Sequence, residues 1–466
     1  MEWKTLLSPK RQRGVSGKRS ETDNRTEFQK DYHRIVGSAS FRRLQDKTQV
    51  FPLERGDFVR TRLTHSLEVS SFAASLGQSV GTGILERRLD SAFTERDAGA
   101  MVDVLRAAGL VHDIGNPPFG HFGEDAIRMW FSSHADSLLY RGERISSVLS
   151  KRQMGDLIHF EGNAQALRIL SKLHCLVGTT GMNLTYALLS TVVKYPVPST
   201  GIDKRSGNVK DKKMGYMQSE EELYRDLAKE TGTNGARHPL TFLLEAADDI
   251  AYLTGDIEDA VKKGKISYET LLFELQSACA GNAELSKIAE KLVSCKERAI
   301  GSGMPDPSLN AVQNWVVFVQ SYLLGQATNR FLDCYKEIME GSFATELLSG
   351  TPAGALCKQL GAIAYRYVFR SKEILKIEIS AYSIFEFLLS KFVPAAIHYG
   401  ERDVLEDKLM CILSENYKYV YARESEGKSE ADKLYLRLLL VTDYLCGMTD
   451  SYAKNLYQEL SGIAKL

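Results

Sequence analysis

Disulfide chemistry is the first thing this sequence lacks. Its seven cysteines (175, 279, 295, 334, 357, 411 and 446) are odd in number and never form a CxxC. They read as reduced, small core residues of a cytosolic protein, and a disulfide scaffold is not expected. An excess of one charge is missing too. Fifty-nine basic residues face 59 acidic ones, so no global field draws the chain to nucleic acid or membrane, and affinity for anions must come from local patches. No apolar run approaches the roughly 18 residues of a membrane helix. The opening "MEWKTLLSPKRQRG" has no long apolar stretch, so it does not read as a signal peptide. The expectation is a soluble, cytoplasmic protein.

Strand patterns are also few. "TQVFPL" (48–53) and "YVFRSKEIL" (367–375) are the two short hairpin candidates. Helical spacing fills most of what remains. His65, Val69, Phe72, Leu76 and Val80 share one face, as do Met101, Leu105, Ala108 and His112. Further helices are expected at 162–176, 182–194, 219–230, 240–262, 267–300, 309–340, 380–399, 402–423 and 429–464. The fold class is therefore mostly α. With 466 residues, the chain has room for one large core or two to three ordinary domains. Residues 1–25 are basic and polar and read as a flexible arm; 26–300 form the main unit; 301–466 complete it, after a Pro/Gly turn at "GSGMPDPSLN" (301–310). The Gly-, Ser- and Lys-rich stretch 196–220 reads as a long mobile loop.

Chemistry concentrates in "GLVHDIGNPPFGHFGEDA" (109–126). Adjacent residues on a helix do not face each other, but where an apolar helix ends, His112 and Asp113 can turn toward one point. Imidazole and carboxylate converging there suit a metal ion. Taken alone, this pair is a weak signal, and His65 alone reads as a core histidine. The stretch "EAADDIAYLTGDIEDA" (245–260) strengthens both, because Asp248, Tyr252 and Asp256 form a row at i, i+4, i+8. Beside that row runs an apolar stripe of Ala247, Ile250, Thr254, Ile257 and Val261. Acids next to a packed stripe are costly unless a cation or donor satisfies them. His65, His112, Asp113 and Asp248 would make a mixed N/O site for a divalent ion such as Mn²⁺ or Fe²⁺, with Mg²⁺ less usual. Four protein ligands leave positions for water or a substrate oxygen, which is the geometry of metal-assisted hydrolysis. Arg62, three residues before His65, would share its side of the helix and can bind phosphate oxygens bidentately.

Taken in order, "RTRLTHSLEV", "GLVHDIGNPPFGHFGEDAI", "FEGNAQALRIL" and "EAADDIAYLTGDIEDA" resemble the HD-domain superfamily. More closely, they resemble its deoxyguanosine triphosphate triphosphohydrolase (dGTPase) family. The likeness extends to "YHRIVGSASFRRLQDKTQVFPLE", "LTYALLSTVVKYP" and "VTDYLCGMTDSYA". It implies an HD-type helical core with added helices, and an enzyme that hydrolyses dGTP to deoxyguanosine and triphosphate with Mn²⁺ or Mg²⁺. The implied metal ligands are the same four residues. The resemblance implies His121 as the catalytic histidine, supported by Glu124. Pro117 and Pro118 interrupt the helix and re-aim His121, and Glu124, three residues on, can fix its tautomer. The resemblance further assigns phosphate contacts to Lys194 and Tyr195, with Lys213 in the lysine-rich loop as a candidate lid. Gln49, Tyr252 and Asp256 would read the sugar, with Tyr252 blocking a 2′-hydroxyl, and Asn163 would lie near the nucleotide.

A broad dNTP triphosphohydrolase, a nucleotidase or cyclic-nucleotide phosphodiesterase, and a nucleic-acid-binding nucleotide sensor remain open alternatives. The last would use the basic N-terminus on single-stranded DNA. The resemblance also implies a homo-oligomer, a hexamer, with Arg437 and Glu378 as candidates for roles between neighbours.

Overall fold

The structure is a computed structural model that describes residues 1–14, 22–49, 60–175, 178, 180–278, 282–400 and 404–463. Its centre is a helix pair, Arg62–Arg87 and Glu95–Val111. Both begin with capping boxes, Thr61 with Thr64 and Thr94 with Asp97, which satisfy the first unpaired backbone N–H groups. The two run antiparallel in close contact: a Cβ on Gly81 would meet Ala98, one on Gly77 would meet Leu105, and one on Gly109 would meet Ser70. Pro239–Lys262 packs across this pair, and Pro307–Asp333 packs on both it and Arg62–Arg87. The predicted stripes point inward. Val69, Val80, Met101, Leu105, Ala108, Ala247, Ile250 and Ile257 are all fully buried.

Several expected helices are divided. The span 267–300 is two helices, Tyr268–Ala278 and Ala283–Gly301; 309–340 splits after Asp333; and 429–464 splits at Gly447. The 301–310 turn joins Ala283–Gly301 to Pro307–Asp333, which pack along each other.

Three expectations differ from the structure. The hairpin candidate at 367–375 is helical: a π turn covers Tyr365–Phe369, and Ser371 then caps the Lys372–Ile397 helix. The ordered hairpin lies instead at Leu139–Tyr140 and Glu143–Arg144. It is closed by Arg141 (φ 52°) and Gly142 (φ 86°), the two positive-φ positions a tight type I′ turn needs. At 48–53, Thr48 forms an isolated bridge with Thr61, and residues 50–53 lie outside the described residues. The N-terminal arm is packed rather than solvated as far as Gly14: Trp3, Leu6 and Leu7 are buried, and buried Arg11 pairs with Asp31 at 2.6 Å. Stretch 196–220 folds into short 3₁₀ turns with Val209, Met214 and Met217 buried, so it is no free loop.

Among the described residues, one helix, Lys372–Ile397, is long and apolar enough to cross a membrane, and half of its most apolar window is buried inside this fold. It packs on His121–His134 and Glu430–Cys446, as a core helix does.

Candidate active site

Three helices deliver the metal-type residues to one place. The Thr61 cap starts a helix whose first turn carries Arg62 and His65. His112 is the C-cap of Glu95–Val111, so the backbone opens there and Asp113 turns to the same side. Pro239 at the first position and His238 as N-cap start the helix that holds Asp248. His65, His112 and Asp113 place ligand atoms within 4.8 Å of one another. Asp248 Oδ1 lies 3.1 Å from His65 Nε2 and 3.3 Å from His112 Nε2.

The pairing around these groups leaves inward-facing lone pairs. His112 Nδ1 bonds the Gly109 carbonyl at 2.8 Å, which makes Nδ1 the protonated nitrogen and Nε2 the free one. That Nε2 is buried and makes no hydrogen bond among the described residues. Each carboxylate has one oxygen held by a cation: Asp113 Oδ2 by Arg62, and Asp248 Oδ2 by Lys194 at 2.9 Å. The other oxygen of each faces the histidines. Burial alone would raise these carboxyls, but Arg62 and His112 hold Asp113 below the ordinary range. Lys194 and His112 do the same for Asp248. Two anionic oxygens and two imidazole nitrogens fit a divalent metal ion.

His121 and Glu124 sit beside this cluster. Phe119 (φ 61°) and Gly120 (φ 60°) make the turn that ends the Pro-Pro segment, and His121 opens the next helix with its side chain 76% exposed. A Cβ on Gly120 would come within 2.4 Å of Arg62 Nη2, so only glycine fits this left-handed position. His121 Nδ1 bonds Glu124 Oε2 at 2.8 Å. That bond and the Glu124 charge raise the imidazole above its ordinary 6.5. Glu124 is buried. Burial pushes it up, but His121, Lys213 and Arg128 together hold it at about 2. Its other oxygen accepts the Gly162 N–H at 2.7 Å, and a Cβ on Gly162 would stand 2.2 Å from Asn116 Oδ1. That close approach explains the glycine in "FEGNAQ".

A cavity of about 640 Å³ joins these groups to the remaining candidates. Gln49, Arg62, Asn163, Lys194, Tyr195, Lys213, Tyr252 and Asp256 all line it, together with Asp113, Asp248 and His121. Arg62 and Lys194 line it next to Asp113 and Asp248. Tyr252 and Asp256 follow Asp248 on the same helix by one and two turns, as the row predicts. Asp256 is pushed up to about 8 by burial and by the nearby Asp259, partly opposed by Arg60. Gln49 Oε1 is buried with no partner among the described residues. Arg437 and Glu378 do not line the cavity; Arg437 bonds Tyr421 and the Ile397 carbonyl.

Sequence reading missed Glu161. It is 2% exposed and holds Lys213 at 2.9 Å, Asn163 at 3.0 Å and Arg128 at 3.1 Å. Lys213 is thus tied to the wall rather than swinging free as a lid. An acid two residues before Asn163 was the available signal. A further part of the lining was also missed: Gly354, Cys357, Lys358 and Gly361 come from an unanticipated helix, Pro352–Ala364.

Known proteins match this chain along its whole length. The HD domain family matches residues 62–153, which span the first three ligands and the His121–Glu124 pair. A deoxyguanosinetriphosphate triphosphohydrolase-like protein of Listeria innocua is 45% identical over the full length of both chains. The chain belongs to the deoxyguanosinetriphosphate triphosphohydrolase family. A triphosphohydrolase-like protein of Synechocystis is 35% identical over the whole of both chains. The deoxyguanosinetriphosphate triphosphohydrolase of Yersinia enterocolitica is 34% identical over 93% of each. As a member of this family the chain is an HD-domain hydrolase whose His/Asp cluster is built for a divalent metal.

Proposed function

We propose that this chain hydrolyses dGTP to deoxyguanosine and inorganic triphosphate by attack of water at the α-phosphorus. The observation that carries the reading is one cavity lined by Asp113 and Asp248 of the metal-type cluster and by His121, which pairs with Glu124, and lined as well by Gln49, Tyr252 and Asp256. When bound by the four ligands, Mn²⁺ or Mg²⁺ supplies Lewis acidity to a phosphoryl oxygen. Arg62, Lys194 and Lys213 present cationic donors to the phosphates and lower the energy of charge developing there. Because Glu124 occupies His121 Nδ1, Nε2 is the nitrogen left to face substrate. Protonated His121 donates from Nε2 to the 5′-oxygen as its bond to phosphorus breaks, and Glu124 stabilises the imidazolium before transfer. The water oxygen ends on the α-phosphorus, and its proton leaves to solvent. Tyr252 packs against the sugar and closes the space of a 2′-hydroxyl, while Asp256 and Gln49 hydrogen-bond the 3′-hydroxyl.

Product analysis by chromatography and phosphorus NMR, with Mn²⁺ or Mg²⁺ and each dNTP and NTP, tests this. Triphosphate and deoxyguanosine, strongest from dGTP and absent from GTP, are expected. Equal turnover of all four dNTPs would keep the chemistry and remove the base assignment. Pyrophosphate or orthophosphate as the first product would overturn the reading.

A further inference from the structure

The C-terminal stretch "GMTDSYA" (447–453) ends beside the site, although none of its side chains lines the cavity. Asp450, in the first turn of the Asp450–Leu460 helix, is 1% exposed. Its Oδ1 accepts the Phe119 N–H at 2.9 Å. Its Oδ2 accepts both the N–H and the hydroxyl of Thr48, at 2.9 and 2.5 Å. The neighbouring Lys47, 2% exposed, donates from Nζ to the Asn116 and Cys446 carbonyls, each at 2.6 Å. Three segments far apart in sequence are thereby tied at one buried point.

Each tied segment leads directly to a site group. Phe119 and Gly120 are the positive-φ residues that aim His121. A side-chain-bearing residue rarely holds that conformation unless its surroundings over-determine it, and the Asp450 carboxylate supplies the bond that does so. Thr48 precedes Gln49, whose Oε1 is the unpartnered acceptor at the sugar end. We propose that Asp450 is a positioning residue that, with Lys47, locks the His121 turn and the Gln49 segment in register across the substrate cavity. The proposal rests on the reading of His121 as the proton donor.

The full-length protein with Mn²⁺ and dGTP provides the test, with kcat, KM, Mn²⁺ affinity and Tm measured for four variants. Asp450→Asn keeps the size of the side chain but turns an amide NH₂ toward one of its donors, so kcat should fall by about tenfold or more while Mn²⁺ affinity is kept. Thr449→Ala removes the cap that accepts the Tyr452 N–H at 3.2 Å in the same helix; it should lower Tm and leave kcat unchanged. Should Asp450→Asn not fold, Thr48→Val cuts one bond only and should raise KM for dGTP; unchanged kinetics there would overturn the proposal. Unchanged kcat in Asp450→Asn, or kcat losses that follow Tm alike in Asp450→Asn and Thr449→Ala, would also overturn it. His121→Ala separates the two readings. If it is inactive beside a fully active Asp450→Asn, the clamp alone fails; if it is fully active, the mechanism fails and the clamp with it.

Discussion

The two ends of the cavity solve opposite problems. At the metal end, nearly every charged atom already has a fixed partner: Arg62 on Asp113, Lys194 on Asp248, Glu124 on His121, and the Gly162 N–H on Glu124. Two buried nitrogens there, His112 Nε2 and Arg62 Nε, have no partner among the described residues. Among the residues proposed to read the sugar, Gln49 Oε1 has no partner among the described residues, and burial holds Asp256 near 8. Fixed partners preorganise charge for chemistry, so that little reorganisation remains at the moment of reaction. Unsatisfied acceptors instead make binding conditional on a ligand that satisfies them, which is a strong source of selectivity. Under the proposed function, the first set of residues governs rate and the second governs discrimination.

Variants can break that division, beginning with the largest effect. His112→Ala removes the free imidazole nitrogen, so the rise in Tm on adding Mn²⁺ should disappear and turnover should fall below detection; retained Mn²⁺ stabilisation in a thermal melt would contradict the assigned ligand set. His121→Ala should keep that stabilisation yet lower kcat by about 10²–10⁴-fold, the usual worth of general acid–base help. Glu124→Gln takes away the bond and charge that raise His121. With His121 acting as an acid, kcat declines as pH rises through its raised pKa, so the variant's decline should begin at lower pH. An unmoved alkaline limb in the pH–kcat profile would detach Glu124 from His121.

Effects at Gln49 and Asp256 should be smaller and of another kind. Gln49→Ala should raise KM for dGTP about tenfold at nearly constant kcat, consistent with one lost hydrogen bond in a desolvated site. Asp256→Asn carries a stability signature. A carboxyl raised in the folded state contributes stability below its unfolded pKa, and loses it as pH rises toward about 8. Melting curves between pH 6 and 9 should therefore fall more steeply for the parent than for Asp256→Asn.

The legible parts of this molecule were those whose evidence is local. The row Asp248–Tyr252–Asp256 and the stripes through His65 and His112 follow from helical spacing, and each lies on the face that spacing predicts. His121 and Glu124 are three residues apart, so their pairing also lies within one turn. Glu161 and Asp450 were not found because their partners come from elsewhere: Glu161 meets Arg128 and Lys213, and Asp450 meets Thr48 and Phe119. The error at 367–375 has a different cause. A short apolar alternation also fits a helix, and the Ser371 cap decides for the helix. The packed N-terminus was hidden because Arg11, polar by composition, is buried against Asp31.

The proposed reaction is attack at the α-phosphorus with cleavage of the bond to the 5′-oxygen. Single turnover of dGTP in ¹⁸O-labelled water, read by mass spectrometry of both products, tests it most directly. One labelled oxygen in the triphosphate and none in deoxyguanosine are expected. Label in the 5′-hydroxyl would mean attack at carbon and would contradict it.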